Sequence, residues 1–147
     1  MHIADGIGDL SGLIRDEVIV RSGARTLAPE AGPGESEYTD YDRKITAETC
    51  RWLEQEAAKG SDKPWVLYVG FVCPHPPFIA PEAFFRLYDE TAIPMPDRYS
   101  QAERPRHPYI DALARGRPYD EGFTGPDMVR RVIAAYYGLV SFLDDNV

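Results

Sequence analysis

Cysteine is scarce in this 147-residue chain: only Cys50 and Cys73 are present. Two are too few for a disulfide framework and fit a reducing, cytoplasmic setting. Positive charge is also short, with 16 Lys and Arg against 24 Asp and Glu and a net charge of −8. Nucleic acid and anionic membrane both require a basic face, so neither is expected as a partner. No apolar run approaches the ~20 residues of a membrane span. The start, MHIADGIGDLSGLIRDE, lacks the basic region and apolar core of a signal peptide. No G-x-G-x-x-G pattern and no P-loop occurs, and Gly6-Ile7-Gly8 alone is a weak signal. Residues 1–34 therefore read as irregular chain, and His2 takes no role.

What is present fits one domain with long connections. The hydrophobic fraction is 44%, enough to exclude general disorder, and 13 prolines with 12 glycines imply irregular segments of the kind that border active sites. Thr39 followed by Asp42 resembles a capping box. YDRKITAETCRWLEQEAAKG then predicts a helix with Tyr41, Ile45, Thr49, Trp52 and Leu53 on its inner face and Lys59-Gly60 at its end. After a turn at 61–64 comes PWVLYVGFVC, continuously apolar and rich in β-branched and aromatic residues. It predicts a central parallel strand over 65–73, covered on both faces. Helix, turn and buried strand give an α/β class, in which ligands sit beyond the carboxyl ends of strands.

His75 stands at that end, fenced by Pro74, Pro76 and Pro77. Proline fixes its own φ and restricts its predecessor, so the backbone here should be nearly rigid and extended. A ring held so can donate to a developing oxyanion at little ordering cost. The same residues read equally as a strand closed by a proline turn with an incidental histidine.

Further along, APEAFFRLYDE predicts a short helix opened by Pro81. Residues 91–124 form a polar, Pro-rich stretch of the kind used as a lid or rim, with His107 a weak candidate for contacting substrate. GPDMVRRVIAAYYGLVSFLDDNV predicts a final helix with a stripe of Val129, Val132, Ile133, Tyr136, Val140 and Leu143. That pattern reaches Val147 without a stop signal, which suggests a truncated protein.

Other chemistry reads poorly. Cys73 and His75 alternate and could share a side as a nucleophile pair, yet no acidic or amide orienter accompanies them. Asp144-Asp145-Asn146 offers oxygens for a cation, but adjacent helical side chains diverge by ~100°. Asp89, Glu90 and Asp97 are loop acids without an evident pair.

PHPPFIAPEAFFRLYDE, together with residues 31–55 and 134–147, resembles the sulfatases of the alkaline-phosphatase-like superfamily, especially the choline-sulfatase and phosphonate monoester hydrolase branches. The resemblance implies a sandwich with a central, mostly parallel sheet flanked by helices. It also implies hydrolysis of a small anionic ester: a sulfuric ester, or alternatively a phosphonate or phosphate ester. In that family a formylglycine made from the cysteine of C-x-P-S-R attacks, a divalent metal (Ca2+, or Mn2+ in phosphonate hydrolases) polarises the ester, and a G-K-x-H segment assists. The histidine of H-x-P-F contacts a substrate oxygen, and His75-Pro76-Pro77-Phe78 matches it.

The departures are large. Cys50 is followed by Arg51-Trp52 and Cys73 by Pro74-His75, so formylglycine has no precursor here. G-K-x-H, the metal-binding S-D-H-G and an aspartate pair after an N-terminal strand are also missing. The chain is therefore expected to be an internal portion, residues 1–147, of one catalytic domain incomplete at both ends. It would hold one active-site residue, His75, and no metal ligand of its own. A non-catalytic remnant of such a gene is the remaining expectation.

Overall fold

A computed structural model describes residues 20–60 and 63–147. The glycine-rich segment over 1–19, with His2, and part of the expected turn at 61–64 lie outside the described residues.

Four α-helices and a minimal sheet organise the described residues. Ser36, not Thr39, caps the first helix, α1 (Glu37–Gln55). The Ser36 side chain accepts from the Thr39 N–H, and the Thr39 hydroxyl accepts from the Ser36 N–H. That reciprocal pair satisfies two N–H groups the helix start leaves open, so helix begins three residues earlier than the Thr39–Asp42 spacing suggests. A 3-10 turn (Ala57–Lys59) and Gly60 at φ 74° then end the element.

The inner face of α1 is also rotated from expectation. Ile45, Thr49 and Trp52 are half-buried, but Tyr41 and Leu53 are exposed, and the fully buried positions are Thr39 and Asp42.

Residues 65–73 form no strand. Residues 65–72 have no regular structure and no ladder partner, Cys73 already belongs to a turn, and the parallel pair lies elsewhere: β1 (Gly32–Pro33) beside β2 (Ile79–Ala80). Apolar and β-branched composition favours a pleated surface but supplies no neighbouring backbone, and a strand exists only when one is present. The exposure pattern is nevertheless strand-like. Trp65 meets Trp52 of α1 edge to face at 4.9 Å, whereas Val66 and Tyr68 are 97% and 91% exposed. Trp65 and Leu67, on the side toward α1, are less exposed, at 50% and 38%, than Val66 and Tyr68. The described residues show mixed helix with a small parallel sheet, consistent with an α/β class.

After β2 comes α2 (Glu82–Phe85), with Pro81 at its cap position. The polar stretch that follows is more structured than its composition suggests. It contains α3 (Pro108–Gly116), flanked by 3-10 turns at Gln101–Glu103 and Tyr119–Gly122. His107-Pro108 is the signal there, a capping side chain followed by proline at the first helical position.

The last helix, α4 (Pro126–Asn146), carries the core. Ala134, Ala135, Leu139 and Phe142 are buried against Ala31, Cys73, Ala80, Phe85 and Ile93. It packs on β1, β2 and α2, and of residues 65–73 Cys73 alone joins its buried cluster. Tyr136 and Val140, expected inside, are exposed. Small residues choose the face instead: a Cβ on Gly138 would lie 2.9 Å from the Ala80 Cβ and 3.2 Å from the Phe85 backbone, so the helix approaches as closely as glycine permits.

Candidate active site

His75 is held by a proline-stiffened turn rather than by an extended segment. Its N–H donates to the Val72 carbonyl at 3.0 Å, and the Cys73–Pro74 and Pro76–Pro77 bonds are both cis. Below the turn sits Asp42, completely buried on α1. One of its oxygens accepts from the Val72 N–H at 2.8 Å and the other from the Cys73 N–H at 2.9 Å. Two N–H groups on one carboxylate satisfy a charge that burial would otherwise make costly. Sequence reasoning took Asp42 for a capping residue. The available signal was its register, three residues after Thr39 and three before Ile45, an acid on the buried face of a helix.

The ring itself is exposed. Its Nδ1 lies 2.7 Å from the Pro76 carbonyl oxygen, and the Tyr38 ring stands edge-on at 5.7 Å. A carbonyl only accepts, so Nδ1 carries the proton and Nε2 is left for an incoming group. Neutral His75 thus presents a lone pair at Nε2. The imidazolium presents an N–H, the form able to donate to an anionic oxygen.

Cys73 belongs to the packing. It is 4% exposed, and burial, with a further contribution from its hydrogen bond to Asp42, pushes the thiol up to about 12. A thiol so placed holds its proton at neutral pH, which opposes the nucleophile pair with His75. Cys50 is exposed on α1.

The other candidates are scattered. The His107 ring caps α3 by accepting from the Tyr109 N–H at 3.2 Å. Asp89 accepts from the Thr91 N–H and hydroxyl, and those bonds hold its carboxyl below the usual range. Asp144 and Asp145 are exposed, while Asn146 links α4 to Thr46 of α1 at 2.7 Å. Among the described residues no three His, Cys, Asp or Glu side chains converge as a metal site would require. The donor set here does not fit the divalent metal that the resemblance implies.

Beside the turn lies an apolar cavity of about 220 Å³. Pro76 and Phe78 form one side, and Leu27, Tyr119, Phe123 and Val132 contribute to the rest. His107 does not line it. No helix among the described residues is long and apolar enough to cross a membrane.

No family model matches the chain, and no solved structure does. Curated relatives do. The multifunctional alkaline phosphatase superfamily protein PehA of Trinickia caryophylli is 35% identical over 100 residues, 59% of this chain and 19% of PehA. Choline-sulfatase of Rhizobium meliloti (strain 1021) is 27% identical over 127 residues, 82% of this chain and 25% of that protein. Iduronate 2-sulfatase of Mus musculus is 32% identical over 136 residues, 84% of this chain and 24% of the enzyme. The chain thus spans a fifth to a quarter of the length of these relatives. Its homologues are hydrolases of the sulfatase and alkaline-phosphatase superfamily, matched at low identity over part of their length.

Proposed function

We propose that the chain is an internal portion of a sulfatase-like catalytic domain acting on sulfuric esters, in which His75 contacts an oxygen of the substrate. The observation carrying this reading is the exposed His75 ring, whose Nε2 has no hydrogen-bond partner among the described residues, on a turn within His75-Pro76-Pro77-Phe78. As imidazolium, that nitrogen donates to an oxygen that gains charge when the ester bond breaks. A donor already in place stabilises the transition state without reorganising. His107 is a weaker substrate contact in the same reading.

The nucleophilic formylglycine and the divalent metal belong to segments outside this sequence. When bound, the metal polarises the ester oxygen. The sequence contains no C-x-P-S-R, and no cluster of metal-ligating side chains forms among the described residues, so the chain alone is expected to be inactive. The PehA match keeps a second reading open, a phosphonate or phosphate ester substrate, since both ester types present a tetrahedral anionic centre. The acidic composition supports a partner that is neither nucleic acid nor membrane, and the two free cysteines support a cytoplasmic setting.

Two measurements test this. The DNA flanking the reading frame is expected to encode C-x-P-S-R upstream and S-D-H-G downstream. The purified chain is expected neither to turn over an aryl sulfate nor to bind calcium stoichiometrically in calorimetry. Turnover abolished by His75→Ala in the isolated chain, or micromolar calcium binding, would overturn the partial-domain reading. Flanks without either motif would favour the non-catalytic remnant.

A further inference from the structure

We propose that Asp42 is the positioning residue of the His75 site: from α1 it fixes the backbone at Val72 and Cys73 and thereby sets the turn that aims the His75 ring. Helix α1 does not need this carboxylate for itself, because Ser36 and Thr39 already cap it. Both Asp42 oxygens instead reach residues 30 and 31 positions away, at 2.8 and 2.9 Å. Val72, one of the two residues held, also accepts the His75 N–H at 3.0 Å, so the fixed backbone and the ring are one turn apart. Between them Pro74 has a locked φ, and Pro76 and Pro77 restrict the far side, leaving few free torsions. Tyr38, one helical turn before Asp42 on the same element, meets the ring edge. A single helix therefore sets both the height of the turn and one side of the ring.

The importance of this placement rests on the reading of His75 as the substrate-oxygen contact, but the placement itself is measurable without any ester. In the 147-residue chain, the Val72 and Cys73 amides are expected to exchange with solvent on the order of a hundredfold more slowly than those of Val66 and Tyr68 in the same run. Asp42→Asn keeps the shape and puts an NH2 against one of the two N–H donors. It is expected to shift the NMR resonances of the His75 ring and abolish the amide protection. Thr46→Ala removes a comparable helix contact, the hydrogen bond to Asn146, and is expected to lower stability while leaving the His75 ring resonances in place. The proposal is overturned if the two amides exchange as fast as Val66, if Asp42→Asn leaves the ring resonances unmoved, or if Thr46→Ala moves them equally. Should Asp42→Asn not fold, the exchange of the unaltered chain decides. A failed hydrolase reading would leave all these signals in place.

Discussion

His75 and Cys73 are two residues apart and have opposite characters. The cysteine is buried and holds its proton; the histidine is exposed, with one nitrogen committed to Pro76 and the other without a hydrogen-bond partner among the described residues. This contrast gives a direct chemical test. Alkylation near pH 8, read by mass spectrometry, is expected to label Cys50 quickly and Cys73 only after denaturation. Equal labelling would mean that the core around Cys73 is open. The same raised thiol value has a sign in stability. An unfolded thiol ionises near pH ~8.5, and the folded one only near about 12. The stability linked to Cys73 is therefore fully present below pH ~8.5 and is lost progressively as pH rises through that window. A Cys73→Ser variant should show a weaker alkaline loss in thermal melts. At this scale the proline fence singles out His75 as a candidate but not the turn that holds it, and the sequence is illegible at Asp42. Capping and loop-holding acids look alike until the partner 30 residues away is placed.

At the scale of elements, composition located α1 and α4 and only part of their buried faces: on α4, Val129 is buried and Val132, Ile133 and Leu143 pack against the core, while Tyr136 and Val140 are exposed. Hydrophobic stripes rank residues by how much water they exclude. The face of α4 that packs is instead the one that comes closest, through Ala134, Ala135 and Gly138, and such small residues leave little hydrophobic signal. Gly138→Ala tests this account. Helix propensity alone favours alanine by about 1 kcal/mol. The new Cβ would press on Ala80 and on the Phe85 backbone at 2.9 and 3.2 Å, and overpacking of that kind costs about 1–3 kcal/mol. A net loss of unfolding free energy of up to ~2 kcal/mol in denaturant titration is expected. A stabilised variant would show that α4 packs less closely than described. Residues 65–73 failed as a strand for a different reason. Their pattern is that of a strand, and Val66 and Tyr68 stand open where a second layer would cover them. A strand is a property of two segments, and the sequence of one cannot supply the other.

For the whole molecule, three features agree: homologues four to five times longer than the matched stretch, an apolar run with Val66 and Tyr68 open to solvent, and, among the described residues, an exposed His75 with no cluster of metal-ligating side chains. Our reading joins them as a portion of a sulfatase-like domain that completes its layer and its chemistry with other segments. The most direct measurement is steady-state kinetics of the longer protein, encoded by the reading frame with its flanks, on an aryl sulfate. A contact that strengthens in the transition state appears in kcat more than in KM. Loss of one preorganised donor costs on the order of a hundredfold to a thousandfold. His75→Ala is therefore predicted to lower kcat by that order with fold and metal content unchanged, while Cys73→Ser stays active. An active His75→Ala enzyme beside an inactive Cys73→Ser one would contradict the account.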